Sequence, residues 1–131
     1  MSATSSSIAL LLQKARDSVQ VAKNNLRDGY PSFSASRAYY AMFYAATALL
    51  AELEQEYSSH AGVVSAFGRE FAATDRMDRK YHAYLLEAFA DRQQGDYAID
   101  MEIEPVAAQR HVDRAEEFIA VAEAWIARHD K

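Results

Sequence analysis

The residues with chemical potential are few, and three of them stand together. In "AFADRQQGDYAID", residues 88–100, Arg92 precedes Asp96 by four positions and Tyr97 follows directly. A guanidinium offers a rigid fork of N–H donors that fits phosphate or carboxylate oxygens. A carboxylate and a phenol can each exchange a proton, but ordinary pKa values of about 3.9 and about 10 place both far from neutrality. Burial or a neighbouring charge would have to move them. The same spacing also reads as a helix-end ion pair. In this order, arginine first, such a pair is worth only about 0.3 kcal/mol.

The four histidines, His60, His82, His111 and His129, show no paired spacing with a carboxylate, so no metal site is expected. His60 falls at a helix start, where a solvated or capping role is expected, and the other three read as surface residues. No glycine-rich phosphate loop is present. The lone glycine in "AFGREF" reads instead as a place where another helix comes close. Glu-x2-His pairs of the di-iron bundles are also missing. The tyrosines of "RAYYAMFYAA" could stack on bases, but at helical spacing they read first as core. No cofactor is expected.

These residues must be positioned by helices. The chain has 131 residues with only four glycines and two prolines, so few tight turns are encoded. Its length suits one domain over 1–131. Apolar residues recur at three- and four-residue intervals along five segments, about 5–27, 32–55, 60–73, 79–94 and 105–128. Residues 1–4 are expected to be disordered. Gly29 and Pro31 stop the first helix, Ser58 or Ser59 can cap the third, Gly95 can end the fourth, and Pro105 suits the start of the fifth. The second segment, with Tyr39, Tyr40, Met42, Phe43, Tyr44, Leu49 and Leu50, is apolar all round, which predicts a central helix partly covered by a second copy or another protein. "DYAIDMEIEP" reads as a connector. The fold class expected is all-α, an up-and-down bundle of four to five helices with short connections.

The net charge of −5 argues against binding nucleic acid through a broad basic surface, while leaving room for a local basic pocket. With no cysteine, disulfides and thiolate metal sites are excluded. "MSATSSSIALLLQK" lacks the basic residues of a signal peptide. The longest uncharged run, Ala38 to Ala51, is 14 residues, short of the ~20 that span a bilayer. A soluble, cytoplasmic protein without a membrane partner is expected.

Taken together, "GYPSFSASRAYYAMFYAATALL", "SSHAGVVSAFGREF", "ADRQQGDY" and "HVDRAEEFIAVAEAWI" resemble the HEPN domain, in its small stand-alone bacterial and archaeal branch. The resemblance runs from Ser5 to Arg128. It implies a homodimeric bundle, a minimal nucleotidyltransferase (MNT) as partner in a toxin–antitoxin module, and in many members a metal-independent endoribonuclease. The family motif is an arginine, four to six residues, then a histidine. Arg92 matches the arginine; the histidine positions hold Tyr97, Ala98 and Ile99.

Three functions follow as expectations. The first is an interaction protein, dimeric partner or target of the nucleotidyltransferase, with Tyr97 the candidate for attached AMP. The second is a ribonuclease toxin in which Arg92 grips phosphate, Asp96 or Tyr97 takes an altered proton-transfer role, and a second protomer could supply His60 or His111. The third is a nucleotide-binding module using Arg92 and Arg37. The candidate catalytic residues are Arg92, Asp96 and Tyr97.

Overall fold

In a computed structural model of the chain, residues 5–97 and 102–129 are described, the side chains of residues 5 and 93–97 excepted. Five α-helices run in order, α1 Ser5–Arg27, α2 Pro31–Glu52, α3 His60–Phe67, α4 Lys80–Tyr97 and α5 Pro105–His129. A π-helical turn, Gly68–Ala72, continues α3. No strand occurs among the described residues. Residues 1–4, expected to be disordered, and residues 98–101 of the "DYAIDMEIEP" connector lie outside the described residues.

Local chemistry explains where the helices stop and start. Gly29 takes φ +91°, a left-handed conformation that L side chains rarely adopt, and the amide of Tyr30 returns to the carbonyl of Asn25 at 2.8 Å. Pro31 then opens α2, where its missing N–H costs nothing. Ser59 caps α3, its Oγ accepting from the amide of Gly62 at 2.9 Å. Two helix ends differ from the sequence reading. α2 stops at Glu52 because Glu54, at φ 60°, closes a turn onto the carbonyl of Ala51. α4 does not end at Gly95 but continues to Tyr97, since a glycine inside a helix costs only about 1 kcal/mol against alanine.

α2 is the central helix and packs against α1, α3, α4 and α5. Tyr39, Met42, Leu49 and Leu50 are buried, with Phe67, Phe71, Leu85, Val112, Phe118 and Trp125 filling the space around them. The α2 alanines, from Ala35 to Ala51, are buried as well, which lets the neighbouring helices approach closely. Ser34 is buried in α2, and its hydroxyl donates to the carbonyl of Ala22 on α1 at 2.7 Å. Ion pairs Arg16–Glu123 and Lys23–Glu116 tie α1 to α5. As position rises on one helix it falls on the other, so the two are antiparallel. Lys80–Glu117, Glu87–Arg114 and Asp91–His111 show the same for α4 and α5. No helix among the described residues is long and apolar enough to cross a membrane.

Candidate functional site

Arg92 lies on α4 where that helix crosses the aromatic stretch of α2. One of its terminal nitrogens donates to the hydroxyl of Tyr40 at 2.9 Å. The guanidinium carbon sits 5.2 Å from the ring centre of Tyr40 and 5.6 Å from that of Tyr39. Arg37, one turn before Tyr40 on α2, places its own guanidinium 4.5 Å from the same Tyr40 ring. Two cations thus share one aromatic face region on a chain whose net charge is −5. Cations held over rings in this way are stabilised by the ring quadrupole.

The imidazole of His60, the first residue of α3, closes the other side. It stacks on Phe43 with ring centres 4.2 Å apart and planes 16° apart, and it meets Tyr40 edge-on at 5.6 Å. Its Nδ1 is 2.8 Å from the hydroxyl of Tyr39. His60 is therefore neither a cap, which is Ser59, nor a solvated surface residue. Reaching across from α3 to α2, it is half-buried among aromatic rings. Burial, and then the Arg92 cation, hold its pKa below the ordinary 6.5, so the ring is neutral at pH 7. Tyr39 is fully buried, and desolvation lifts its pKa far above the ordinary phenol value despite the opposing pull of Arg92. Its hydroxyl keeps its proton and has one hydrogen-bond partner among the described residues, His60. A buried O–H without an acceptor costs about 1–3 kcal/mol, which makes that contact worth holding.

Two other histidines differ from the surface placement expected of them. His111 is completely buried because that position of α5 faces α4, where its Nε2–H donates to Asp91 at 2.7 Å. His82 is half-buried against Gly68, at the π-helical turn, and donates to the carbonyl of Val64 at 3.1 Å. His129 is exposed, as expected, and stacks on Trp125.

Of the three site residues expected from the sequence, the side chain of Arg92 is placed. Those of Asp96 and Tyr97 lie outside the described residues. What sequence reasoning missed is that Tyr39, Tyr40 and His60, the last considered only as a group from a second protomer, surround Arg92 within one chain, because α2 and α3 come together with α4 only in the folded chain. "RAYYAMFYAA" carried part of the signal, but its tyrosines read as core. Among the described residues the arrangement combines a guanidinium, a neutral imidazole and a tyrosine hydroxyl, walled by rings. It can bind an anion and stack a flat group beside it.

Comparison with known proteins agrees with this architecture. The family model for the HEPN domain matches residues 8–125. A Methanocaldococcus jannaschii protein bearing the name "putative toxin" is 33% identical over 109 residues, covering 83% of this chain and 74% of that protein. A second protein of that organism with the same kind of name is 28% identical over 124 residues, covering 95% and 87%. A Thermotoga maritima protein named "UPF0332 protein" is 32% identical over 114 residues, covering 87% and 86%.

Proposed function

Because the chain belongs to the HEPN domain family, we propose that it is the RNA-directed toxin of a two-component module, working as a homodimer and held in check by a minimal nucleotidyltransferase. The observation that carries this reading is the setting of Arg92. Its guanidinium sits against Tyr39 and Tyr40, with Arg37 on the same Tyr40 ring and the neutral His60 alongside. Phosphate oxygens suit the guanidinium fork, and aromatic walls suit the bases of a single strand. The toxin names of two relatives point the same way.

On this reading the chemistry is metal-independent cleavage. The ribose 2′-hydroxyl attacks the adjacent phosphorus and gives up its proton. The bond from phosphorus to the 5′-oxygen breaks, that oxygen takes up a proton, and a cyclic phosphate end remains. Arg92 holds the phosphate and the charge that develops on it. Asp96 and Tyr97, next along α4, are the proposed proton-transfer groups, and Tyr97 is the proposed acceptor of AMP from the partner.

The test is growth arrest on expression and cleavage of total RNA, wild type against Arg92→Ala. The wild type arrests growth and cleaves; the variant loses at least about 100-fold of the cleavage, the usual scale for removing a donor to developing charge. Equal behaviour of the two proteins retires Arg92. For the partner, co-expression with a nucleotidyltransferase and intact-mass measurement should give a complex and one added AMP, which Tyr97→Phe abolishes.

A further inference from the structure

Position 60 holds a histidine outside the arginine–histidine motif that Arg92 matches; it lies on a different helix from Arg92 and yet borders the same two tyrosine rings. We infer that His60 is a second phosphate-contacting group of this site, presenting a neutral Nε2–H donor beside the Arg92 guanidinium, with Tyr39 as the residue that sets its tautomer. The inference rests on the RNA-directed reading above and adds to it a residue and a protonation state.

The tautomer follows from hydrogen-bond accounting. Tyr39 is fully buried, and its hydroxyl has one partner among the described residues, the Nδ1 of His60 at 2.8 Å. A phenol that keeps its proton must donate it, and among the described residues the acceptor within reach is that nitrogen. With Nδ1 accepting, a neutral imidazole carries its proton on Nε2. That nitrogen lies on the ring's other side from Tyr39 and has no hydrogen-bond partner among the described residues. The reverse tautomer would leave the Tyr39 proton buried with no acceptor.

Neutrality suits the location. A protonated ring would repel the Arg92 cation, and burial already disfavours it. A neutral donor has no such conflict. On this inference Arg92 supplies the charge and His60 a directed N–H to the same phosphodiester, from the two tyrosine rings that both groups border. Tyr40 and Phe43, both half-buried beside the imidazole, offer ring surface to a neighbouring base.

Two measurements test this. The first is the imidazole 15N spectrum of the wild-type protein at pH 7, with His60 assigned by its loss in His60→Gln. We expect a protonated Nε2 and an unprotonated, hydrogen-bonded Nδ1, and in Tyr39→Phe a shift of the Nδ1 signal and mixed tautomers. A proton fixed on Nδ1, or an imidazolium, overturns the inference without any binding data. The second is binding of a short 2′-O-methyl oligonucleotide, which carries the phosphodiester but lacks the attacking hydroxyl. Losing one directed donor should weaken binding by roughly tenfold in His60→Ala, while His60→Gln, whose amide nitrogen can stand near Nε2, should stay within about threefold. If Arg92→Ala weakens binding but His60→Ala does not, the assignment of His60 falls and the site reading stands. If Arg92→Ala binds like wild type, the site reading itself falls. His60→Gln as weak as His60→Ala removes the donor role.

Discussion

The side chain of Arg92 acts on its neighbours as well as on any ligand. Its cation and the burial of the ring both depress the pKa of His60. The sign of the consequence is fixed. Unfolded, the imidazole titrates near 6.5, and folded it resists the proton. Below about pH 6.5 the unfolded state therefore binds more protons, and stability falls as the pH drops; above it the contribution is intact. A 1H–13C titration should place the His60 midpoint below 6.5, and Arg92→Ala should raise it, because the ring stays buried while the charge is removed. A midpoint unmoved by that substitution would mean the two groups do not sense each other. The buried His111 makes a second residue-scale case. Asp91→Ala leaves its Nε2–H without an acceptor, which should cost about 1–3 kcal/mol in a urea melt.

Among the elements, α4 comes close to the π-helical turn that continues α3, with His82 lying against Gly68. A Cβ added at Gly68 would lie 2.4 Å from the ring of His82, and that ring is anchored through its bond to Val64. The ring cannot swing away without breaking the bond. Gly68→Ala is therefore expected to destabilise by about 1–3 kcal/mol, as overpacking does, despite the better helix propensity of alanine. Measuring Gly68→Ala with and without His82→Ala in one double-mutant cycle isolates the clash, and a coupling near zero would show that α4 simply moves aside. The turn also matters to the site, because it links α3, which carries His60, to the segment leading into α4, which carries Arg92.

For the whole molecule, the central helix accounts for most of its own apolar surface. α2 was expected to be central and partly covered by a second copy or another protein, and α1, α3, α4 and α5 do pack around it within one protomer. What stays exposed is Phe33 at the start of the helix and, in part, the strip Tyr40, Phe43 and Tyr44, of which Tyr40 meets Arg92. The proposed homodimer would use this strip, bringing two copies of the site together. Light scattering at micromolar concentration should give twice the 14.7 kDa chain mass, and Tyr44→Glu should shift it toward one. A wild-type monomer at that concentration would remove the dimer from the proposal.

The helices were legible in the sequence because helix periodicity is local. Ile8, Ala15, Val19 and Ala22 mark one face of α1, and Val112, Ala115, Phe118, Ile119 and Ala122 one face of α5, and the same residues are buried in the structure. Arg92 was legible too, through a motif contained in one stretch of chain. The group around it was not. Tyr39, His60 and Arg92 are on three helices, and whether a tyrosine is core, a wall or an orienting hydroxyl depends on which helix passes over it. His111 shows the same limit, since one position along α5 separates an exposed arginine neighbour from complete burial. Periodicity fixes which face of a helix turns inward, but only packing of distant segments decides which polar atoms meet there, and in this protein that is where the chemistry lies.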